Sequence, residues 1–152
     1  MTQQQIKKQL REACKQQLAS RREAVDTIIT NVAISLREET KSSAGDKHET
    51  GRAMLQLERE NAGKQLAEIE KLEVILNRIS IEISNGPARL GCVVLTNKAN
   101  YFLSIPSGAL VVHNETYYAI GATSPIGQRL LGKEVGAEAR FRESVLHIRS
   151  IF

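Results

Sequence analysis

The stretch Ser84–Arg89, "SNGPAR", divides this chain into two kinds of sequence. All three prolines (Pro87, Pro106, Pro125) and all six aromatics (Tyr101, Phe102, Tyr117, Tyr118, Phe141, Phe152) lie beyond residue 85, as do seven of the ten glycines. A composition shift that sharp marks a boundary. Glycine closes a helix in a left-handed cap and proline cannot continue one, so Asn85-Gly86-Pro87 is its natural place. The division expected is residues 1–84 and residues 85–152.

Before the boundary, apolar residues recur at steps of three and four, which places them on one stripe of a helix. In the first arm they are Ile6, Leu10, Cys14, Leu18, Val25, Ile28, Val32 and Leu36. In the second they are Met54, Leu57, Leu66, Ile69, Leu72, Leu76, Ile79 and Ile83. The other positions are rich in Glu, Lys, Arg and Gln, which favour helix and solvent. Two narrow stripes joined by a short break predict an antiparallel helical hairpin, zipped as a coiled coil. Each arm of about 35 residues would reach on the order of 50 Å.

After the boundary the pattern changes to short apolar or alternating runs. "RLGCVVLT", "NYFLSI", "ALVVHN", "TYYAIG" and "VLHIRSIF" read as strands separated by turn residues. One helix interrupts them: Ser124 is a good N-cap, Pro125 suits a first turn, and Gly132 ends "IGQRLLG". The fold class expected is α+β in two domains, a helical hairpin followed by a β-rich domain with one short helix.

Charged residues are 25% of the 152, hydrophobic ones 41%, and the net charge is +4. That is the composition of a soluble globular protein, mildly basic and compatible with nucleic acid or an acidic partner. No apolar run spans a bilayer and the first ten residues have no signal-peptide core, so a cytoplasmic protein is expected. Cys14 and Cys92 lack metal spacing and read as small apolar packers. From Lys7 to Arg22 there are six basic residues and one acid, Glu12. Lys7, Lys8, Arg11 and Lys15 read either as a solvated face or as a stripe facing nucleic acid. Tyr117 and Tyr118 straddle a strand, so only one can face the core.

The break between the arms, "KSSAGDKHETGRAM" at 41–54, holds the candidate chemistry. Asp46 followed by Glu49 at a helix start is close to a capping box, which explains both acids without a function. The functional reading is a pair of tip carboxylates. Mg²⁺ prefers oxygen ligands and often takes only one or two from a protein, so such a pair becomes useful when another macromolecule completes the shell. His48, between them, reads as a polar loop residue.

Three segments together resemble the bacterial Gre family of transcript-cleavage factors, the GreA and GreB type. "TSPIGQRLLGKEVG" at 123–136 is nearly the family's "SPIGRALLGKKVG", "RLGCVVLT" resembles the opening of the same domain, and "GDKHE" at 45–49 resembles the family's "GDLKE" tip. The resemblance implies a C-terminal domain with an FK506-binding-protein-like fold and RNA polymerase as partner, with nascent RNA or DNA of the elongation complex nearby. It implies no membrane partner, no cofactor of its own and a monomer. By D-x-x-E spacing, Asp46 and Glu49 match the two acids that help hold an Mg²⁺ ion of the polymerase's active centre. The polymerase then hydrolyses its own backtracked transcript, so the chain is an accessory factor rather than an enzyme. Thr50, Gly51, Arg52 and Ala53 stand where the family has Asn, Ala, Glu and Tyr. Arg52 thus puts a cation one turn from Glu49, where it competes with a metal. Two alternatives stay open: a binder of the same channel that regulates polymerase without cleavage, and a coiled-coil interaction protein whose tip acids are only caps.

Overall fold

The computed structural model describes the backbone of residues 1–41 and 45–152 and the side chains of residues 1–39 and 49–152. Two long helices form an N-terminal hairpin, α1 (Gln3–Lys41) and α2 (Gly45–Asn77). They precede β1 (Val93–Thr96), β2 (Asn100–Ser104), β3 (Gly108–Val112), β4 (Glu115–Gly121), α3 (Pro125–Leu130), β5 (Glu138–Phe141) and β6 (Ser144–Ile151). The chain divides into two compact units: one of Met1–Gln17 with Val74–Phe152, the other of Leu18–Glu73. Each long helix contributes to both.

In the unit formed by Leu18–Glu73, Leu18, Val25 and Val32 of α1 are buried, as are Ala62, Ile69 and Leu72 of α2. Met54 and Leu57, expected on the buried stripe, are 68% and 58% exposed. Stepping back from Ile69 by helical intervals leads through Ala62 to half-buried Leu55, not through Met54 and Leu57. Volume misled the sequence reading: a small alanine holds the inward position and two larger residues lie off it. Arg22 ties the arms together. Its Nη1 donates to Glu73 Oε1 at 2.6 Å, while Nη2 lies 3.6 Å from Glu70 and Nε 4.0 Å from Asp26.

The other unit starts with a capping box that the sequence reading missed. Gln5 N donates to Thr2 Oγ1 at 3.1 Å, and Thr2 N donates back to Gln5 Oε1 at 2.8 Å. The first turns of α1 then bury Leu10 and Cys14 completely. Helix α2 ends at Asn77, so Ile79 and Ile83 lie beyond it. Arg78 and Ile79 donate to carbonyls three residues back, a tightening typical of a helix end. The β-branched Ile79, Ile81 and Ile83 that follow favour leaving the helix. Their segment keeps carbonyl groups that no helix satisfies. Arg11 Nη1 donates to the Ile79 oxygen at 3.0 Å, and Lys7 Nζ to the Glu82 oxygen at 2.6 Å.

The strands form one six-stranded sheet in the order β3-β4-β2-β1-β6-β5. Neighbours are antiparallel except β2 and β4, because β4 returns between β2 and β3. Strand β5, "EARF", alternates polar and apolar residues, but it is four residues long and one of its two apolar positions is a small alanine, which is why the sequence did not disclose it. Register between β1 and β6 shifts after Leu95, leaving Arg149 as the extra residue of a bulge. Successive residues of β2 serve opposite faces. Ser104 Oγ lies 3.9 Å from Cys14 Sγ of α1. Leu103 instead joins Val94, Leu130, Ala139, Leu146 and Ile148 in a core completed by Ile126 of α3.

Helix α3 is built as its sequence predicts. Ser124 Oγ accepts from Gly127 N at 3.1 Å and donates to the Gly121 oxygen at 2.6 Å, with Pro125 at the first turn. Gly132 follows with φ of 80° and donates to the Ala88 oxygen, while Ala88 N donates to Lys133 O, both at 2.8 Å. Gly127 is required by crowding: a Cβ there would run into the backbone oxygen of Gly121 and come within 2.9 Å of Ser124 Oγ.

Gly127→Ala is therefore expected to cost about 1–3 kcal/mol or more, since a backbone oxygen cannot rotate away. Ser124→Ala should cost about 1 kcal/mol. Urea unfolding midpoints check both. Lys7 supplies a pH signature. Burial pushes its pKa below the ordinary 10.5. Between the lowered value and 10.5 the unfolded chain binds more protons than the folded one, so Lys7 makes stability rise with pH across that window. The neutral amine still donates to Glu82. Lys7→Met should remove the rise, seen as a wild-type advantage over the variant that grows as pH moves from neutral toward 10.5. Comparing the two proteins cancels half-buried Tyr101 and buried Tyr117, whose raised pKa values act in the opposite sense above 10.0.

Candidate functional site at the hairpin turn

Helix α2 begins at Gly45, so Asp46 and Glu49 both belong to its N-terminal end. Positions three apart share a helix face, with Cβ atoms about 5–6 Å apart. Two carboxylates at that spacing suit one hard cation whose other ligands come from elsewhere. Unpaired amides and the positive end of the helix dipole favour negative charge at such a terminus. Glu49 is exposed to solvent. The side chains of Asp46 and His48 lie outside the described residues, and the expected capping box with them.

Just beyond, Gly51 brings the arms close. A Cβ at this position would stand 2.9 Å from Glu39 Oε1 of α1, a side chain able to move aside. Arg52, three residues past Glu49 on the same helix, is exposed. Among the described residues, no group of three or more His, Cys, Asp and Glu side chains is arranged to hold a metal ion.

The basic run of α1 is not the continuous stripe that its sequence allows. Lys7 is buried, with 3% of its surface exposed, and Arg11 is half-buried; each reaches a backbone carbonyl as described above. The physical reason is that Lys7 sits one turn from Leu10 and Arg11 one turn from Cys14, on the flank of the buried stripe. Arg22 engages three acids of its own unit, and Lys15 lies 3.9 Å from Glu12. Lys8 and Arg21 are exposed. Hydrophobic periodicity carried the signal for Lys7 and Arg11: each occupies a position beside the stripe, where long cations reach over apolar surface.

Of the two adjacent tyrosines, Tyr117 is buried and Tyr118 is 43% exposed. Both cysteines are buried and unpaired by disulfides, and burial pushes the Cys14 thiol up from its ordinary range. They fill space, as expected. No helix among the described residues is long and apolar enough to cross a membrane.

No family model matches the chain, and no curated protein matches it either. Among solved structures it is similar to "Structure of the transcription factor Gfh1", at 22% identity over 90% of this chain and 91% of that one, with a TM-score of 0.36.

Proposed function

We propose that this chain is an accessory factor of RNA polymerase. It binds at the polymerase's secondary channel and brings Asp46 and Glu49 to the active centre. There the two carboxylates help hold an Mg²⁺ ion and the attacking water, and the polymerase cleaves its own backtracked RNA. The observation that carries this reading is the position of the "GDKHE" run: it opens α2, with Glu49 exposed. The resemblance of residues 123–136 to the Gre signature supports the same reading, and the capped α3 makes structural sense of those residues.

The chemistry asks little of the factor. Two-metal hydrolysis needs a second cation to lower the pKa of a water and to steady the in-line geometry. The polymerase supplies cation and substrate. The factor adds oxygens, fixed in spacing by a helix and favoured at its positive end. A second reading, polymerase binding without cleavage, is favoured by one observation. Arg52 replaces the family's acid and places a cation near the pair, which lowers local metal occupancy.

Backtracked elongation complexes, made with polymerase from the protein's own source, test this. The intact chain should shorten the RNA from its 3′ end. Asp46→Ala or Glu49→Ala should slow shortening by roughly 10–100-fold, the range seen when groups supporting a metal are lost. Arg52→Glu should speed it. Polymerase binding that survives with no shortening selects the second reading, and failure to bind polymerase at all rejects both.

A further inference from the structure

Strand β3 ends the sheet, with β4 as its one neighbour among the described residues. Its ladder with β4 is set by a two-residue turn, His113-Asn114, with φ of 55° and 66° and Val112 facing Glu115. In such a hairpin Val112 and Glu115 form a hydrogen-bonded pair, and alternate pairs follow. Leu110 therefore bonds to Tyr117, while Ala109 and Val111 fall at the intervening positions opposite Tyr118 and Thr116. A separate contact agrees: the Thr116 oxygen turns toward β2, where it accepts from Asn100 Nδ2 at 3.2 Å. The N–H and C=O groups of Ala109 and Val111 thus point out of the sheet's open edge.

Natural edges are guarded by charge, proline or bulges. "GALVV" has no ionisable residue and no proline, and its register with β4 is unbroken. Val111 is 70% exposed. Beside it on the same face stand exposed Ala109 and Tyr118, the latter 6.3 Å from the Tyr101 ring. These features call for a polypeptide strand, since only a backbone offers donors and acceptors in matching alternation.

We propose that a second copy of this chain pairs there, β3 against β3, antiparallel about a two-fold axis. With the axis at Leu110, Ala109 lies opposite the partner's Val111 and Val111 opposite the partner's Ala109. All of these residues aim their backbone groups outward, so this register closes about four hydrogen bonds. It also buries each valine against an alanine. An uncharged strand meets its own copy without like-charge repulsion, and a two-fold axis makes one patch serve both sides. The association is short and weak, filling as concentration rises.

Sedimentation velocity on the full chain, from micromolar to millimolar, tests this pairing. A monomer–dimer equilibrium is expected. Val111→Lys should raise its dissociation constant at least tenfold, with partial recovery in high salt as the two added charges are screened. Val111→Thr keeps the backbone and an uncharged branched side chain, and should change the constant only a few-fold. Because Val111 is already exposed, neither variant threatens the fold. Amide exchange should slow at Ala109 and Val111 as concentration rises. A single monomer throughout overturns the proposal and leaves the edge to a strand of some other protein. A dimer with the same constant in Val111→Lys overturns it too.

Discussion

A stretch of backbone that leaves its helix must find partners for its carbonyl oxygens, and the assembly of the larger unit depends on how this is met. Past Asn77 the chain can no longer pair its own carbonyls. Lys7 and Arg11 reach across from α1 and donate to the oxygens of Glu82 and Ile79. An unmet buried acceptor costs about 1–3 kcal/mol, so these two contacts bind the first turns of α1 to the segment leading into the sheet. Once α1 is held there, Leu10 and Cys14 are buried and Cys14 meets Ser104. One face of the sheet is thereby served by α1 and the other by α3. A lysine can take this role because its stem lies along apolar surface while its ammonium meets a carbonyl. Its lowered pKa records the cost of that burial.

The unit formed by the remaining helix lengths follows a different economy. Among the described residues its buried side chains are few and small or branched: Val25, Val32, Ala62 and Ile69, with Leu18 and Leu72 near the end where the two helix lengths leave this unit. Arg22 adds a charged tie with Glu73 and Glu70 at that same end. Exposed ion pairs contribute about 0–1 kcal/mol, so the arms are aligned more by the apolar stripe than by this contact. Toward the turn, Gly51 allows Glu39 close to the backbone of α2. The helix start at Gly45 then places Asp46 and Glu49 three positions apart, at the end of a helix where negative charge is favoured. The accessory role proposed above would need little more than this: oxygens at a set spacing, with the cation supplied by the partner.

The sheet has two unlike ends. Strand β5 borders one, with Glu138 and His147 paired across the hairpin at 3.5 Å and Arg142 lying over Phe141. Glu138 and Arg140 on β5 itself put charge on that edge, which discourages strand addition. Strand β3 has no such charge. The contrast arises within one sheet and one sequence, which is why β3 stands out as a surface for a further strand.

Much of this protein was determined by local sequence. The three-and-four spacing of apolar residues and the Ser124-Pro125 start of α3 act through interactions between residues close along the chain. Helix and turn chemistry of that kind is legible without a fold. The positions of Asp46 and Glu49 at a helix start follow in the same way. Tertiary structure decided what depends on distant segments. Lys7 and Arg11 look like members of a solvated basic face until the carbonyls of residues 79 and 82, far along the chain, come within reach. Ala62 rather than Met54 or Leu57 lines the hairpin because the opposing helix selects a face, and size alone does not name it. Strand β5 exists because β6 extends past β1 and offers an edge, a condition that a four-residue alternation with one small apolar residue cannot reveal.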